Sequence, residues 1–325
     1  MSLPWHRTIS LLTAAIAATT GACRLNSAAD VPSPPEAMIA ANPSSGEGRT
    51  TADTAATLRV GILTFDSAVS IHQRYSPLIA YLSETTGYAI ALIALTQESQ
   101  FAAVASGNLD FILTNPLASV QLQRLYDIKF IATQVRVNTA DRFGGLIIVR
   151  QDSPIQTLED LRGRRVACVD FETAAGGCIF QVYHLLQRGI DPHADFDRFS
   201  EIPSQDNIIL AVLNGAIDAG FVRTGQLEAT AAKGLLSQPE AIRILEPQSD
   251  FFHLHTTPLY PEWPVSVSPQ VDPAVAAEVE AALLSLPAGH AALAPAKLRR
   301  FGSAGNYAAL DALITQLQLK SWDAK

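Results

Sequence analysis

Two short runs end in residues suited to holding an anion. "AGFVRT" closes on the guanidinium of Arg223 and the hydroxyl of Thr224, and "FILTN" closes on Thr114 and Asn115. A guanidinium grips an oxyanion through two parallel hydrogen bonds, and a carboxamide offers both a donor and an acceptor. A third run, "DFETAAGG" from Asp170 to Gly177, leads into a helical pattern that opens at Cys178. There the backbone N–H groups, the positive end of the helix and the Thr173 hydroxyl would supply donors. Gly176 and Gly177 would let a ligand approach the backbone closely. These residue types suit non-covalent capture of a small oxyanion. Plainer readings stand beside this one. Thr173 could serve only as a helix N-cap, and Arg223 could pair at the surface with Asp170 or Glu172, an interaction of little worth. Binding is the favoured reading for Arg223, since a lone charge after a buried strand needs a reason.

The elements that must position these residues alternate in type. "LRVGILTF", "YAIALIAL", "LDFILT", "IKFIATQVR" and "GGLIIVR" read as strands, and "YSPLIAYLSETTG" and "ESQFAAVASG" as helices that stop at glycine. The scheme then restarts. "SPIQTLEDLRG" reads as a short helix, "RRVACVDF" mirrors "LRVGILTF", and "GCIFQVYHLLQRG" and "DNIILAVLNG" read as helices leading to "AIDAGFV". Aligned on Gly107 and Gly215, "AVASGNLD" and "AVLNGAID" repeat one helix–glycine–aspartate–strand unit. Gly107, Asp110, Gly215 and Asp218 are assigned to structure: a left-handed cap, then an aspartate that bonds loop backbone. Two α/β lobes on one plan follow, with parallel or mixed sheets covered on both faces. In open α/β sheets ligands sit beyond the carboxyl ends of the strands. The equivalent ends are Thr64-Phe65, Thr114-Asn115, Asp170–Gly177 and Arg223-Thr224. Lobes that face each other would bring all four to one cleft.

The 325 residues carry 23 basic and 31 acidic side chains, a formal charge of −8. No basic field is available for nucleic acid or anionic lipid. Residues 1–22 read as a signal peptide, with an apolar Ile9–Thr20 run too short to span a bilayer. Gly21-Ala22-Cys23 resembles a bacterial lipobox, which would make Cys23 a lipid anchor; simple secretion with ordinary cleavage is the alternative. Residues 23–57, rich in Pro, Ala, Ser and Thr, read as a disordered tether. Cys168 and Cys178 permit a bridge in an oxidising compartment. A strand cysteine facing a helix-opening cysteine makes the geometry doubtful, so two buried free thiols are expected. His253-x-His255 lacks a third metal ligand. No phosphate loop, dinucleotide fingerprint or nucleophile elbow is found, so neither cofactor nor catalysis is expected.

Six stretches carry a resemblance in register: "RYSPLIAYLSETTG", "FILTNP", "FGGLIIVR", "SPIQTLEDLRGRRVACVD", "GGCIFQVYHLLQRGIDP" and "DNIILAVLNGAIDAGFVRTG". From about Leu58 to Pro264 the chain resembles the phosphate/phosphite/phosphonate-binding proteins of ABC importers, and also periplasmic sensor domains of the tetrathionate-sensor kind. The resemblance implies a type II periplasmic-binding-protein fold, with two α/β lobes, a hinge and an interlobe ligand cleft. Lobe 1 would take 58–143 plus 252–325, and lobe 2 would take 144–251. "TTPLYPEWPVSV" would cross the back of the first lobe near the hinge. By position the resemblance implies a ligand wall of Phe65, Tyr75, Thr114 and Asn115 in lobe 1; Tyr75 and Phe65 could equally be core. From lobe 2 it implies Thr173, Ala174, Ala175 and Gly176, then Gln205 and Asp206, then Arg223 and Thr224. The single hydroxyl at 173–175 and Gln205 in place of the family's usual His depart from phosphonate importers, and "VRTG" is nearer the sensor branch. The implied function is capture of a small oxyanion or related sulfur compound by a monomeric exported lipoprotein that delivers it to an ABC permease. A ligand-sensing module working with a histidine kinase is the alternative.

Overall fold

The computed structural model describes residues 57–64 and 67–319. The expected leader, Cys23, the tether apart from Thr57, and Phe65 lie outside the described residues. In chain order the strands are β1 (Leu58–Leu63), β2 (Ile90–Leu95), β3 (Phe111–Leu113), β4 (Lys129–Arg136), β5 (Arg142–Phe143) and β6 (Gly145–Arg150). They continue as β7 (Arg165–Cys168), β8 (Arg198–Glu201), β9 (Ala219–Arg223), β10 (Ile242–Ile244), β11 (Tyr260–Pro261), β12 (Pro264–Val267) and β13 (Leu298–Ser303). One sheet has the order β13-β4-β12-β3-β1-β2 and another the order β10-β6-β9-β7-β8. In each, a first strand pairs in parallel with the next two (β1 with β2 and β3, β7 with β8 and β9), and an antiparallel strand closes on the third. The two lobes of a type II binding-protein fold are thus built on one plan, as the repeated sequence unit predicts.

That repeat has a job the sequence reading caught only in part. Asp110, placed just before β3, accepts from the Arg59 backbone N–H (2.7 Å) and from Arg59 Nε and Nη2 (3.0 Å each). Asp218, just before β9, holds Arg165 in the same way, at 2.9, 3.1 and 2.6 Å. The same Nη2 of each arginine also donates to the carbonyl of the matching glycine, Gly107 or Gly215. These glycines take φ of +66° and +70°, the left-handed turn that suits a residue without a Cβ. Each clamp ties the start of a first strand to the start of a third, so the opposite ends of those strands open on the cleft. The partner is an arginine across the sheet rather than loop backbone.

Three other expectations change. "SPIQTLEDLRG" supplies one 3₁₀ turn, Glu159–Leu161, and no longer helix. "TTPLYPEWPVSV" does not cross the back of a lobe: its Pro264–Val267 is β12, fully buried between β3 and β4 in the first sheet. Proline is tolerated there as the strand's first residue. Cys168 and Cys178 are joined in a disulfide, with Cα atoms 5.0 Å apart. The expected free thiols are not found because the intervening loop folds back on β7: Val169 N–H donates to the Gly177 carbonyl at 3.1 Å, which carries Cys178 over Cys168.

The chain passes between the sheets after β4 and again before β11. There β5 pairs with β11, Gly145 N–H donates to Thr257 Oγ1 at 2.9 Å, and Ile147 N–H donates to Thr256 Oγ1 at 3.1 Å. A Cβ on Gly145 would fall 2.4 Å from the buried Gln181 carboxamide, so a side chain at this crossing would have to displace Gln181. Gln181 Nε2 in turn donates to the carbonyls of Leu146, Gly176 and Val222.

Candidate functional site

A cavity of about 510 Å³ lies between the carboxyl edges of the two sheets. Gln97, Asn115, Phe143 and Trp263 line it from the first lobe's side. From the second come three loops, entered from β7, β8 and β9: Val169–Gly177, Glu201–Asp206, and Arg223 with Gln226. The positions follow from strand order, since each loop leaves the carboxyl end of a parallel strand.

Asn115 caps the helix Pro116–Tyr126, its Oδ1 accepting from Ala118 N–H at 3.0 Å. Its Nδ2 is buried without a partner. Gln97 opens the helix Gln97–Ala105; its Oε1 accepts from Gln100 Nε2 at 2.7 Å, and its own Nε2 is also buried and unpaired. Unpaired buried amides cost about 1–3 kcal/mol each. Two of them on one cavity wall are donors awaiting an acceptor.

Across the cavity, Ala175–Ile179 forms a π-turn that runs directly into the helix Phe180–Leu186. The first-turn amides of a helix have no intrahelical acceptor; the Ala175 N–H turns to the Thr173 carbonyl at 3.1 Å, and Gly176 and Gly177 put no side chain over their own. Room at Gly176 is tight, for a Cβ there would meet the Phe143 ring at 2.9 Å and the Gly144 carbonyl at 3.0 Å. Thr173 does not cap this helix. Its N–H and hydroxyl both donate to Asp170 Oδ1, at 2.7 and 2.8 Å, so Asp170 shapes the loop and the hydroxyl's proton is already committed.

Arg223 is placed at the cavity but is not a free cation. Its Nη2 donates to Glu262 Oε1 at 2.9 Å, and its guanidinium lies 5.0 Å over the Phe143 ring. Glu262 is wholly buried and also accepts from Thr139 Oγ1 (2.5 Å) and Arg136 Nε (3.0 Å). Burial alone would raise the Glu262 carboxyl; the fields of Arg136 and Arg223 outweigh it and hold the group below the usual carboxylate range. Burial lowers the Arg223 guanidinium from its ordinary value against the pull of Glu262, and a guanidinium stays charged regardless. The plainer alternative, a pairing with Asp170 or Glu172, is not what forms. The true counterion comes from "PEW", a segment whose burial the sequence did not reveal.

The other expected residues divide. Asn115, Thr173, Ala174, Ala175, Gly176, Gln205, Asp206 and Arg223 all line the cavity. Gln205 Oε1 accepts from Arg223 N–H at 2.7 Å and so fixes the end of β9. Asp206 bonds Lys233 Nζ (2.6 Å), Thr230 Oγ1 and Gln226 Nε2. Burial works to raise its carboxyl, yet Lys233 and Thr230 leave it lowered. Tyr75, Thr114 and Thr224 do not line this cavity. Tyr75 packs in the first lobe's core with Ile71 and Leu78. Thr114 is buried and donates to Gln100 Oε1 at 2.6 Å. Thr224 accepts from Gly144 N–H at the crossing. Missed were Gln97, Phe143, Glu201, Gln226 and Trp263. Gln97 was legible as the first helical residue after β2, the position matching Asn115 after β3. His253 and His255 contact Glu228 and Asp250, and no metal-type cluster occurs among the described residues.

The walls therefore carry Asp170, Glu201 and Asp206 against one arginine, Arg223, which shares the charge of Glu262 with Arg136. A bound anion would have to rest on neutral donors, namely the two carboxamides and the helix-start amides, with the carboxylates accepting from any hydroxyl or amine on the ligand.

Among proteins of known structure, this one is similar to XAC2383 from Xanthomonas citri bound to ATP (19% identity, TM-score 0.66, covering 81% of this chain and 98% of that one). It is also similar to PhnD1 from Prochlorococcus marinus in complex with methylphosphonate (15% identity, TM-score 0.60, covering 82% and 100%). At such identities the likeness shows the fold. Over 240 residues the chain is 30% identical to the tetrathionate sensor histidine kinase TtrS of Salmonella typhimurium, which covers 72% of this chain but only 40% of that relative's length. Residues 60–307 match the family described as "ABC transporter, phosphonate, periplasmic substrate-binding protein". With the two matched sheets and the cavity at their carboxyl edges, this match establishes that the chain belongs to the periplasmic phosphonate-type substrate-binding protein family.

Proposed function

We propose that the protein captures a small phosphonate-like oxyanion in the cleft and passes it to an ABC permease on the outer side of a bacterial membrane. The observation that carries this reading is the pair of buried unpaired donors, Gln97 Nε2 and Asn115 Nδ2, opposite the glycine-bearing helix start. Two lobes contributing donors from opposite sides favour a closed, liganded form, because only that form makes both sets of contacts. On this reading lobe 1 comprises 58–143 plus 252–325, lobe 2 comprises 144–251, and Cys23 carries the lipid that holds a monomeric body near its permease. The role is binding without chemistry. The test is a thermal-shift and calorimetric screen against methylphosphonate, phosphite, phosphate, small sulfonates and tetrathionate. One compound should raise the melting temperature saturably; indifference to all of them would end the reading.

The 30% identity to a sensor kinase favours a second reading, in which the same ligand-gated closure is presented to a separate histidine kinase. Tetrathionate binding, together with a kinase gene rather than permease and ATPase genes alongside, would select it.

A further inference from the structure

A second, smaller cavity of about 150 Å³ lies on the far side of Arg223, against the crossing between the lobes. We propose that it is a separate site for a small inorganic oxyanion of sulfate or phosphate size. Its walls include Arg136, Arg223 and Lys297, with Asn138, Thr139 and Gly225. The one carboxylate bonded to this group is Glu262, whose oxygens are taken up by Thr139, Arg223 and Arg136. Three cations against one carboxylate leave a local excess of positive charge in a chain that is acidic overall.

The donors have room for a guest. Arg136 spends Nε on Glu262 and lies 5.3 Å over the Trp263 ring, and among the described residues its terminal nitrogens have no hydrogen-bond acceptor. Among the described residues the Arg223 side chain likewise bonds only through Nη2. Lys297 makes no ion pair among the described residues and takes the left-handed conformation at φ +56°, uncommon for a residue with a side chain. Two guanidinium side chains and a lysine lining a cavity of this size are chemically suited to a tetrahedral dianion. The main cleft shares Arg223 but differs in the rest of its lining, which is neutral donors and three carboxylates. An anion in the smaller cavity would also tie Arg136 (at the end of β4) and Lys297, which precedes β13, to Arg223 of the other sheet. Occupancy should therefore stabilise the folded body at the crossing.

The test uses the purified full chain, with radiolabelled sulfate in equilibrium dialysis and thermal unfolding in parallel. Ionic strength is matched with gluconate, which is too large for the cavity. Asn115→Asp keeps the helix cap but places a negative charge in the main cleft, so it removes anions from that site. In this background one saturable equivalent of sulfate should remain and should raise the melting temperature. Adding Lys297→Glu should weaken that equivalent by roughly tenfold or more. Lys297→Met, which keeps the stem and drops the charge, should act in the same direction without altering stability in gluconate. Loss of all sulfate binding in Asn115→Asp alone, or retention of full affinity in both Lys297 variants, would overturn the proposal. A failure of the cleft reading would look different: no phosphonate-type compound would bind, while the sulfate equivalent sensitive to Lys297 persisted.

Discussion

Replacing Glu262 by Gln tests the buried charge cluster at its centre. The substitution keeps shape and volume but removes the charge that two arginines share. Oε1 now accepts from Thr139 and Arg223, and Oε2 from Arg136. A carboxamide has one oxygen, so its NH₂ must face either Arg136 or the Arg223–Thr139 pair, donor against donor. Breaking a buried ion pair by removing one partner costs about 3–5 kcal/mol. The Arg223 and Arg136 side chains are 26% and 20% exposed, which lets water relieve part of the cost, so the low end of about 3 kcal/mol applies. For a body of this size that corresponds to a melting point lower by roughly 6–12 °C at pH 7. The pH dependence has a definite sign. Glu262 binds its proton less readily folded than unfolded. Its contribution is therefore complete above the unfolded value of about 4.3 and is lost as pH falls through the lower folded value. The gap between wild type and Glu262→Gln in calorimetry should be wide at pH 7 and should narrow below about pH 4. A gap under about 2 °C at pH 7, or one that stays constant down to pH 3, would refute the account of the cluster.

Gln97→Glu and Asn115→Asp should each weaken binding of the ligand found by screening by tenfold or more, with melting points near that of wild type, as titration calorimetry would record. Unchanged affinity in both would move the ligand elsewhere. Asp110→Ala and Asp218→Ala remove the two matching clamps and should cost a similar ~1–2 kcal/mol each in urea unfolding while leaving ligand affinity intact, because the clamps sit at the strand ends away from the cleft. Replacing Cys168 and Cys178 together by Ala opens the bridge that closes the 169–177 loop. Stability should fall by about 2–3 kcal/mol, and affinity should fall with it because the loop amides lose their fixed direction; unchanged affinity would separate the bridge from the site.

The candidate site was half legible. Arg223 and Asn115 could be singled out because each follows an apolar strand, and strand ends are where loops meet a ligand in this architecture. Thr173 and Gly176 were legible as the loop ahead of a helix. Tyr75 could not be assigned from sequence, since an aromatic on the apolar face of a helix reads the same whether it meets a core or a ligand. Glu262 was missed for the opposite reason: a lone acidic residue among prolines and aromatics looks exposed, and its role appears only once β12 is inserted between β3 and β4.

Local chemistry written in the chain determined the repeat, the glycine turns, the alternation of strand and helix, and hence two α/β halves with loops at equivalent ends. These depend on neighbours a few residues apart, which periodicity and capping residues report. Tertiary structure alone decided which charges meet. It paired Arg223 with Glu262 rather than Asp170, closed Cys168 onto Cys178, turned the Thr173 hydroxyl to Asp170, and left Gln97 and Asn115 with donors unspent. Such pairings join residues far apart in sequence, and their energies depend on burial and direction, which no one-dimensional pattern carries.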